Sequence, residues 1–394
     1  MKATGIAQST VVRSRAGASP SMRHAPVAWF AAVQRLITFL VVSVPVFACW
    51  TVGVDSERDL GRDAEGQVLY DWSNFGRMVD GTAPAPFVRR RILPETTRLV
   101  LYLTPDGVWR TFEAWVHADS LGGQWVSRLF AHLNWRRDRY PQLVVGYLLI
   151  WLSLVGFMYS AAHFATVYYA MDQKLATAVG CLLGIGLLGG SGPGFAGYTY
   201  DIPNVFLFLL TLYAIVAGRC WMPAAFLAAV YSKETSCLLV LAYAMQRRRQ
   251  VASTSYWLTL AWMSGVYVGV RTWVAMIWDN PPAADFWFPL RNLYALGESA
   301  ICNCWYLAFA AVGFVRFYGR TWHDVPADLK WFLLLGVVLL CACFFKGIIE
   351  ERRDYLEVYP IWALILFQWA MVEIGLKHLF VPRECNPRLQ APIA

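Results

Sequence analysis

The sequence predicts an all-α membrane protein, a polytopic helical bundle of about ten membrane segments. Hydrophobic residues make up 58% of the 394-residue chain and charged residues only 15%, whereas soluble domains carry roughly a quarter charged residues. Apolar runs also follow one another along the chain, with basic residues between them. The net charge of +8 does not indicate nucleic-acid binding, because the Arg and Lys residues separate apolar runs and form no single basic face.

Two polar regions surround the first apolar run. Residues 1–26 are basic and contain no acidic residue, which predicts a disordered cytoplasmic tail. The run Leu36–Val54 lacks a clear cleavage signal and is expected to be a retained anchor. Residues 55–140 are then predicted to form a long extracytoplasmic loop. Its segments Thr97–Thr104 and Trp109–Trp135 mix apolar and charged residues at helical spacing, so we expect helices along the membrane surface.

The membrane domain is predicted to cover residues 27–380, with a second cytoplasmic tail at 381–394. Each complete span needs about 20 apolar residues, and shorter runs need polar ends or tilting. Besides the first run and a charged one described next, the apolar runs cover 143–167, 176–188, 204–217, 256–278, 300–317, 331–345 and 358–374.

One apolar run, Trp221–Met245, carries Lys233 and Glu234 in its middle and basic residues at both ends. A single crossing would send the Arg residues at 247–249 outside. Two short helices joined at Ser232–Thr235 return them to the cytoplasm, together with both termini. Each arm of about 11 residues is some 16 Å long, too short for roughly 30 Å of hydrocarbon. The sequence therefore predicts a re-entrant hairpin, or one that opens into a water-filled cavity.

This threading brings the chain's mixed acidic and basic elements to the outer side. They are Tyr70-Asp71, Arg89–Arg91, Tyr200-Asp201, Lys346 with Glu350–Tyr355, and the Lys233-Glu234 pair within the membrane. Ionisable residues in a bilayer are costly, which favours a functional role for Lys233 and Glu234 over a structural ion pair. An external triple Arg also runs against the usual charge bias, which favours function.

Structural interpretations stay open for the other elements. Glu350–Asp354 fits a solvated helix end. Asp201 fits the N-cap of the following span, with Pro203 in its first turn. Arg271 lies inside an apolar run, where it either snorkels to the interface or faces a cavity.

Four local patterns resemble the GT-C superfamily of integral-membrane glycosyltransferases, particularly its bacterial members of undefined substrate. The first is an Asp, then a Gly, a Pro-aromatic pair and Arg-x-x-x-Pro. The second is an aromatic residue and Asp before a span. The third is Ser/Thr-Lys-Glu-Thr between two short helices. The fourth is Glu-x-Arg with a later Glu and Pro. In this chain the first pattern matches Asp71, Gly81, Pro86-Phe87 and Arg90 to Pro94, and the second matches Tyr200-Asp201. The third matches Ser232 to Thr235, and the fourth matches Glu351, Arg353, Glu357 and Pro360.

The resemblance covers roughly residues 36–376 and implies an inverting transfer of a sugar from a polyprenyl-phosphate donor to a glycan or lipid acceptor, at the outer face of a bacterial inner membrane. Asp71 would be the base that takes the acceptor's proton. Cations would stabilise the departing phosphate. The implied substrate contacts are Arg90, Arg91, Tyr200, Asp201, Lys233, Glu234, Glu351 and Arg353.

The first loop has no clear Asp-x-Asp motif, and Asp63-Ala-Glu65 comes nearest to one. No cofactor is therefore assigned, and a divalent metal is neither required nor excluded. Two other functions stay open. The short-helix hairpin also fits a lipid or polysaccharide transporter, although the chain has no internal repeat. A non-catalytic scaffold of envelope assembly would tolerate neutral residues at Arg90 and Lys233.

Overall fold

The protein is described by a computed structural model that covers residues 25–53, 59–62, 68–70, 75–85, 87–118, 120–133, 135, 137–189, 199–279, 287–302, 304–346 and 355–383. These residues form fifteen α-helices and one small sheet, so the all-α prediction is confirmed. The sheet pairs β1 (Asp59–Arg62) with β2 (Val68–Tyr70) in antiparallel fashion. The sequence analysis did not predict it.

Five α-helices precede residue 140 in the described part of the chain, and all but the first lie in the region expected to be the first loop. They are α1 (Ala25–Gly53), α2 (Phe75–Asp80), α3 (Ile92–Leu103), α4 (Asp106–Val116) and α5 (Leu121–His132). The segment Trp109–Trp135, which has helical spacing throughout, is divided between α4 and α5. The division occurs at Ser120, whose side chain accepts a hydrogen bond from the Gly123 N–H and caps α5.

The remaining helices follow with short connections. They are α6 (Tyr140–Tyr168), α7 (Gln173–Gly189), α8 (Asp201–Ala217), α9 (Met222–Ser232), α10 (Cys237–Gln246), α11 (Thr254–Ile277), α12 (Pro289–Cys302), α13 (Cys304–Arg320), α14 (Ala327–Lys346) and α15 (Tyr359–Glu373). The apolar run 300–317 corresponds mostly to α13, and α12 before it was not predicted.

Four of these helices are long and apolar enough to cross a membrane: α1, α6, α11 and α14. Three shorter apolar helices, α7, α8 and α9, accompany them. Along α11 large apolar side chains point away from the protein, as expected of a surface that contacts lipid. Among them are Trp257, Leu258, Trp262, Val268, Trp273, Met276 and Ile277.

Helix α6 is the centre of the bundle. It packs along most of its length against α7 and α8, and it also contacts α1 and α3. Gly146 leaves room for the Phe75 ring, because a Cβ at this position would overlap that ring. This close approach fixes α2, and with it the start of the Arg89–Arg91 segment, against the bundle.

The two short helices predicted around Ser232–Thr235 are α9 and α10, and they form a hairpin. The Ser232 hydroxyl at the end of α9 donates to Asn204 Oδ1 at the start of α8, so α8 and α9 are antiparallel. At the other end Arg247, which follows α10, lies beside Gly218, which ends α8. The chain therefore returns through α10 to the side from which α9 began.

Candidate functional site

The tip of the hairpin is a short irregular segment. Lys233 has extended backbone angles, φ −151° and ψ 149°, which end α9. A 3-10 turn over Glu234–Ser236 follows, held by a 2.7 Å hydrogen bond that Ser236 Oγ donates to the Lys233 carbonyl. The break in the helix sends the side chains of Lys233 and Glu234 to different partners.

Lys233 pairs with Glu357, which lies two residues before α15. The Lys233 Nζ to Glu357 Oε1 distance is 2.6 Å, and both side chains are buried, with exposed fractions of 9% and 1%. Thr235 Oγ1 donates to the same carboxylate oxygen at 2.7 Å. Lys233 therefore takes its counterion from a segment outside the hairpin.

Glu234 lies between two guanidinium groups. Its carboxylate oxygens are 3.3 Å from Arg90 Nη2 and 3.5 Å from Arg271 Nη2. Arg271 also donates to the carbonyls of Arg89 and Val230, at 3.3 and 3.4 Å. The Glu234 carboxylate thus holds the guanidinium groups of Arg90 and Arg271 side by side. Through these contacts it joins the first loop, the hairpin tip and α11.

The depth of the tip can be read from α11. Tyr267 OH donates to the Glu234 carbonyl at 3.0 Å, and Tyr267 lies ten residues before the helix end at Ile277. At 1.5 Å of rise per residue, the tip lies roughly 15 Å below the end of α11. The site is recessed within the bundle, well below the level at which α11 ends.

Arg90 also stacks on aromatic rings. Its Cζ lies 4.3 Å from the centroid of the Tyr200 ring and 5.4 Å from that of Phe87. Tyr200 is buried and precedes Asp201, the buried first residue of α8. A carboxylate in the first turn of a helix is favoured by the helix dipole. The second predicted pattern, Tyr200-Asp201, therefore lies against the first.

Arg91 has a different environment from Arg90. It is fully buried, and its Nη1 donates to the carbonyls of Met78 and Val88 at 2.8 and 3.3 Å. Its other nitrogens bond to the Glu95 carboxylate. Burial lowers the pKa of Arg91, and the hydrogen bond with Glu95 opposes that shift. These contacts hold the loop together, and the Arg91 Cζ also lies 3.9 Å from the centroid of the Trp278 ring.

Three predicted site residues, Asp71, Glu351 and Arg353, lie outside the described residues. The other six are described. Arg90, Tyr200, Lys233 and Glu234 come together at the hairpin tip, and Asp201 adjoins them. Arg91 is next to Arg90 in the sequence, but its side chain bonds to Met78, Val88 and Glu95 of the loop region.

Two residues of the cluster were not assigned to the site from the sequence. Arg271 is the sole charged residue of α11, and that isolation within 24 residues is the signal that could have selected it. Glu357 was part of the fourth pattern but received no role. Its position shortly after the charged run 350–354 gives no hint that it reaches Lys233, 124 residues earlier (357 minus 233).

Several buried polar atoms at the site have no hydrogen-bond partner within the described part of the chain. They are Glu357 Oε2, Asn204 Nδ2 and Thr199 Oγ1. Leaving such groups unpaired costs free energy, so they offer acceptors and donors to a polar ligand or to water. The described residues include no group of three or more His, Cys, Asp or Glu side chains that could hold a metal ion.

No family model, curated protein or solved structure matches this chain. The functional conclusion therefore depends on the residues themselves. The cluster combines three cations (Arg90, Lys233 and Arg271) with carboxylates and hydrogen-bonding groups, and the Tyr200 and Phe87 rings lie against Arg90. Such a set can bind a phosphate group through its cations and hydroxyl groups through its acceptors.

Proposed function

We propose that this protein is a membrane glycosyltransferase of the GT-C type. It moves a sugar from a polyprenyl-phosphate donor to a glycan or lipid acceptor at the outer face of a bacterial inner membrane. In this proposal both termini are cytoplasmic. The ten membrane segments are α1, the helices α6 to α11, and α13 to α15, with α9 and α10 as the re-entrant hairpin.

The observation that carries the proposal is the meeting of Arg90, Arg271 and Lys233 at the recessed hairpin tip. Three cations held within one polar cluster suit a ligand with a phosphate group, since guanidinium forks match phosphate oxygens. The apolar surfaces of the bundle suit a polyprenyl chain. A sugar bound beside the phosphate would find hydrogen-bond acceptors such as Glu357 Oε2.

We assign the following roles. Arg90, Lys233 and Arg271 contact the donor phosphate and stabilise the negative charge that develops on it as the glycosidic bond breaks. Glu234 positions the two guanidinium groups. Tyr200 supports Arg90 through its ring. Asp71 takes the proton of the acceptor hydroxyl, and Glu351 and Arg353 complete the contacts that the resemblance implies. Arg91 holds the first loop in shape and has no direct contact with substrate.

The experiment is a transfer assay with purified protein in detergent and a panel of radiolabelled polyprenyl-phosphate hexoses. Release of polyprenyl phosphate without any membrane gradient separates an enzyme from a transporter. We expect Asp71→Asn to be inserted normally but to lose activity by about 10²–10⁴-fold, the usual contribution of a general base.

The matched control is Arg316→Gln, which changes an exposed pair with Glu373 far along the chain from the cluster and should keep wild-type activity. Full activity of Asp71→Asn would remove Asp71 as the base. If the wild-type protein consumes none of the hexose donors under conditions in which it is folded, the glycosyltransferase proposal fails.

A further inference from the structure

A second polar site lies at the other end of the hairpin. The ends of α6, α8 and α10, the start of α14 and the segment after α15 enclose a cleft of about 870 Å³. Helix α8 has 17 residues and connects the two sites, so roughly 25 Å separates the cleft from the hairpin tip. The cleft is therefore distinct from the cluster around Glu234.

The cleft is strongly basic. Its described lining includes five arginines and a single carboxylate, Asp328. That carboxylate accepts a 3.0 Å hydrogen bond from Arg248. The arginines are Arg219, Arg247, Arg248, Arg249 and Arg383. Charges of one sign crowded around a cleft repel each other, and an anion bound among them relieves that repulsion.

Three of these arginines contact protein groups through their side chains. Arg248 pairs with Asp328 and donates to the Met245 carbonyl at 2.8 Å. Arg247 lies against the end of α8, where Gly218 has a positive φ of 62°. Arg219 donates to the Tyr213 hydroxyl at 3.0 Å, and the side chains of Arg219, Arg249 and Arg383 are exposed at the cleft. Because Asp328 pairs with Arg248, Arg219 and Arg249 can bind a ligand without breaking that ion pair.

The inner wall of the cleft combines polar and apolar groups. Tyr168 OH and Gln246 Oε1 are buried and have no hydrogen-bond partner among the described residues. Val167, Val216 and Pro326 supply apolar surface beside them. A hydroxyl that can donate, cations nearby and an apolar wall together match a ligand that has a phosphate next to hydrocarbon.

We propose that this cleft binds the phosphate of an anionic phospholipid, taken from the membrane leaflet at the α8–α10 end of the bundle. Arg219 and Arg249 grip the phosphate oxygens, Tyr168 OH donates to one of them, and the first acyl carbons lie on the apolar wall. Basic pockets between membrane helices are suited to anionic headgroups for this reason. The site does not depend on the transferase activity.

The test uses the full chain, purified and delipidated in detergent. Phosphatidylglycerol or phosphatidylcholine is added in mixed micelles, and bound lipid is counted by native mass spectrometry. We expect phosphatidylglycerol to bind at least tenfold more tightly than phosphatidylcholine, and the double variant Arg219→Gln/Arg249→Gln to lose at least tenfold in that affinity. Inorganic phosphate at the same concentration should displace little of the lipid.

The matched control is Arg320→Gln, which removes an exposed charge near Glu373 outside the cleft lining and should leave the affinity unchanged. Equal binding of the two lipids, or unchanged affinity in the double variant, overturns the proposal. Displacement by inorganic phosphate at equal concentration assigns the site to a soluble phosphate and overturns the lipid source. If the double variant does not fold, Arg249→Gln alone is used, with a threefold loss expected and an unchanged affinity as the contrary result.

Discussion

The buried pair of Lys233 and Glu357 gives the sharpest prediction for stability. At the observed 2.6 Å and an effective dielectric constant of about 20, the attraction between two unit charges is roughly 6 kcal/mol. Removing two ions from water costs several kcal/mol each. The two effects are similar in size, so the pair as a whole contributes little to the free energy of unfolding.

Removing one member of the pair changes this balance. Lys233→Met leaves the Glu357 carboxylate buried with only Thr235 as a described partner, and Glu357→Gln leaves the Lys233 ammonium without its counterion. Each single substitution should lower the free energy of unfolding by about 3–5 kcal/mol. The double variant should lower it by clearly less than the sum of the two, because no uncompensated charge remains.

The measurement is a double-mutant cycle from reversible denaturant unfolding in mixed micelles, with Arg316→Gln as an exposed-pair control that should behave like the wild type. Additive single effects would refute the reasoning, since two residues that interact directly cannot be energetically independent. Equal stability of the Glu357→Gln variant and the wild type would also refute it.

Two further predictions concern Gly81 in the first loop and the contact of Glu357 with the hairpin tip. Gly81→Ala should lower the free energy of unfolding by more than about 1–2 kcal/mol, because φ is +79° and the new Cβ would overlap the Trp278 ring. The control is Gly265→Ala, since α11 has open space at that position. This control should be neutral or stabilising in the same unfolding assay. A chain that ends after Lys346 lacks Glu357, the counterion of Lys233. Amide hydrogen exchange at residues 233–236 should therefore be faster in this shortened chain than in the full chain. Equal exchange rates would show that the pair of Lys233 and Glu357 does not hold the hairpin tip.

The helical bundle was predictable from the sequence because apolar runs have a length and period that few other structures share. The short arms of the hairpin followed from charge, since the arginines at 247–249 needed to return to the side of Arg219. The β1–β2 pair was missed because runs of four and three residues carry too little periodicity to recognise.

The site was predictable only in part. Lys233 and Glu234 stood out as charges in an apolar run, and Arg90 as part of an unusual triple Arg. The partners of these residues depend on contacts between segments far apart in sequence, which no local pattern specifies. Arg91 illustrates the limit, because neighbouring arginines of one run differ in role according to which way each side chain points.

The pairing of Lys233 with Glu357 also has a consequence for biosynthesis. The lysine leaves the ribosome 124 residues before its counterion (357 minus 233), which at 5–20 residues per second is a delay of roughly 6 to 25 s. During that interval the ammonium has no Glu357 to neutralise it and would be costly in hydrocarbon. The hairpin should therefore stay in contact with water while α11 to α14 are made, and settle to its final depth when α15 arrives.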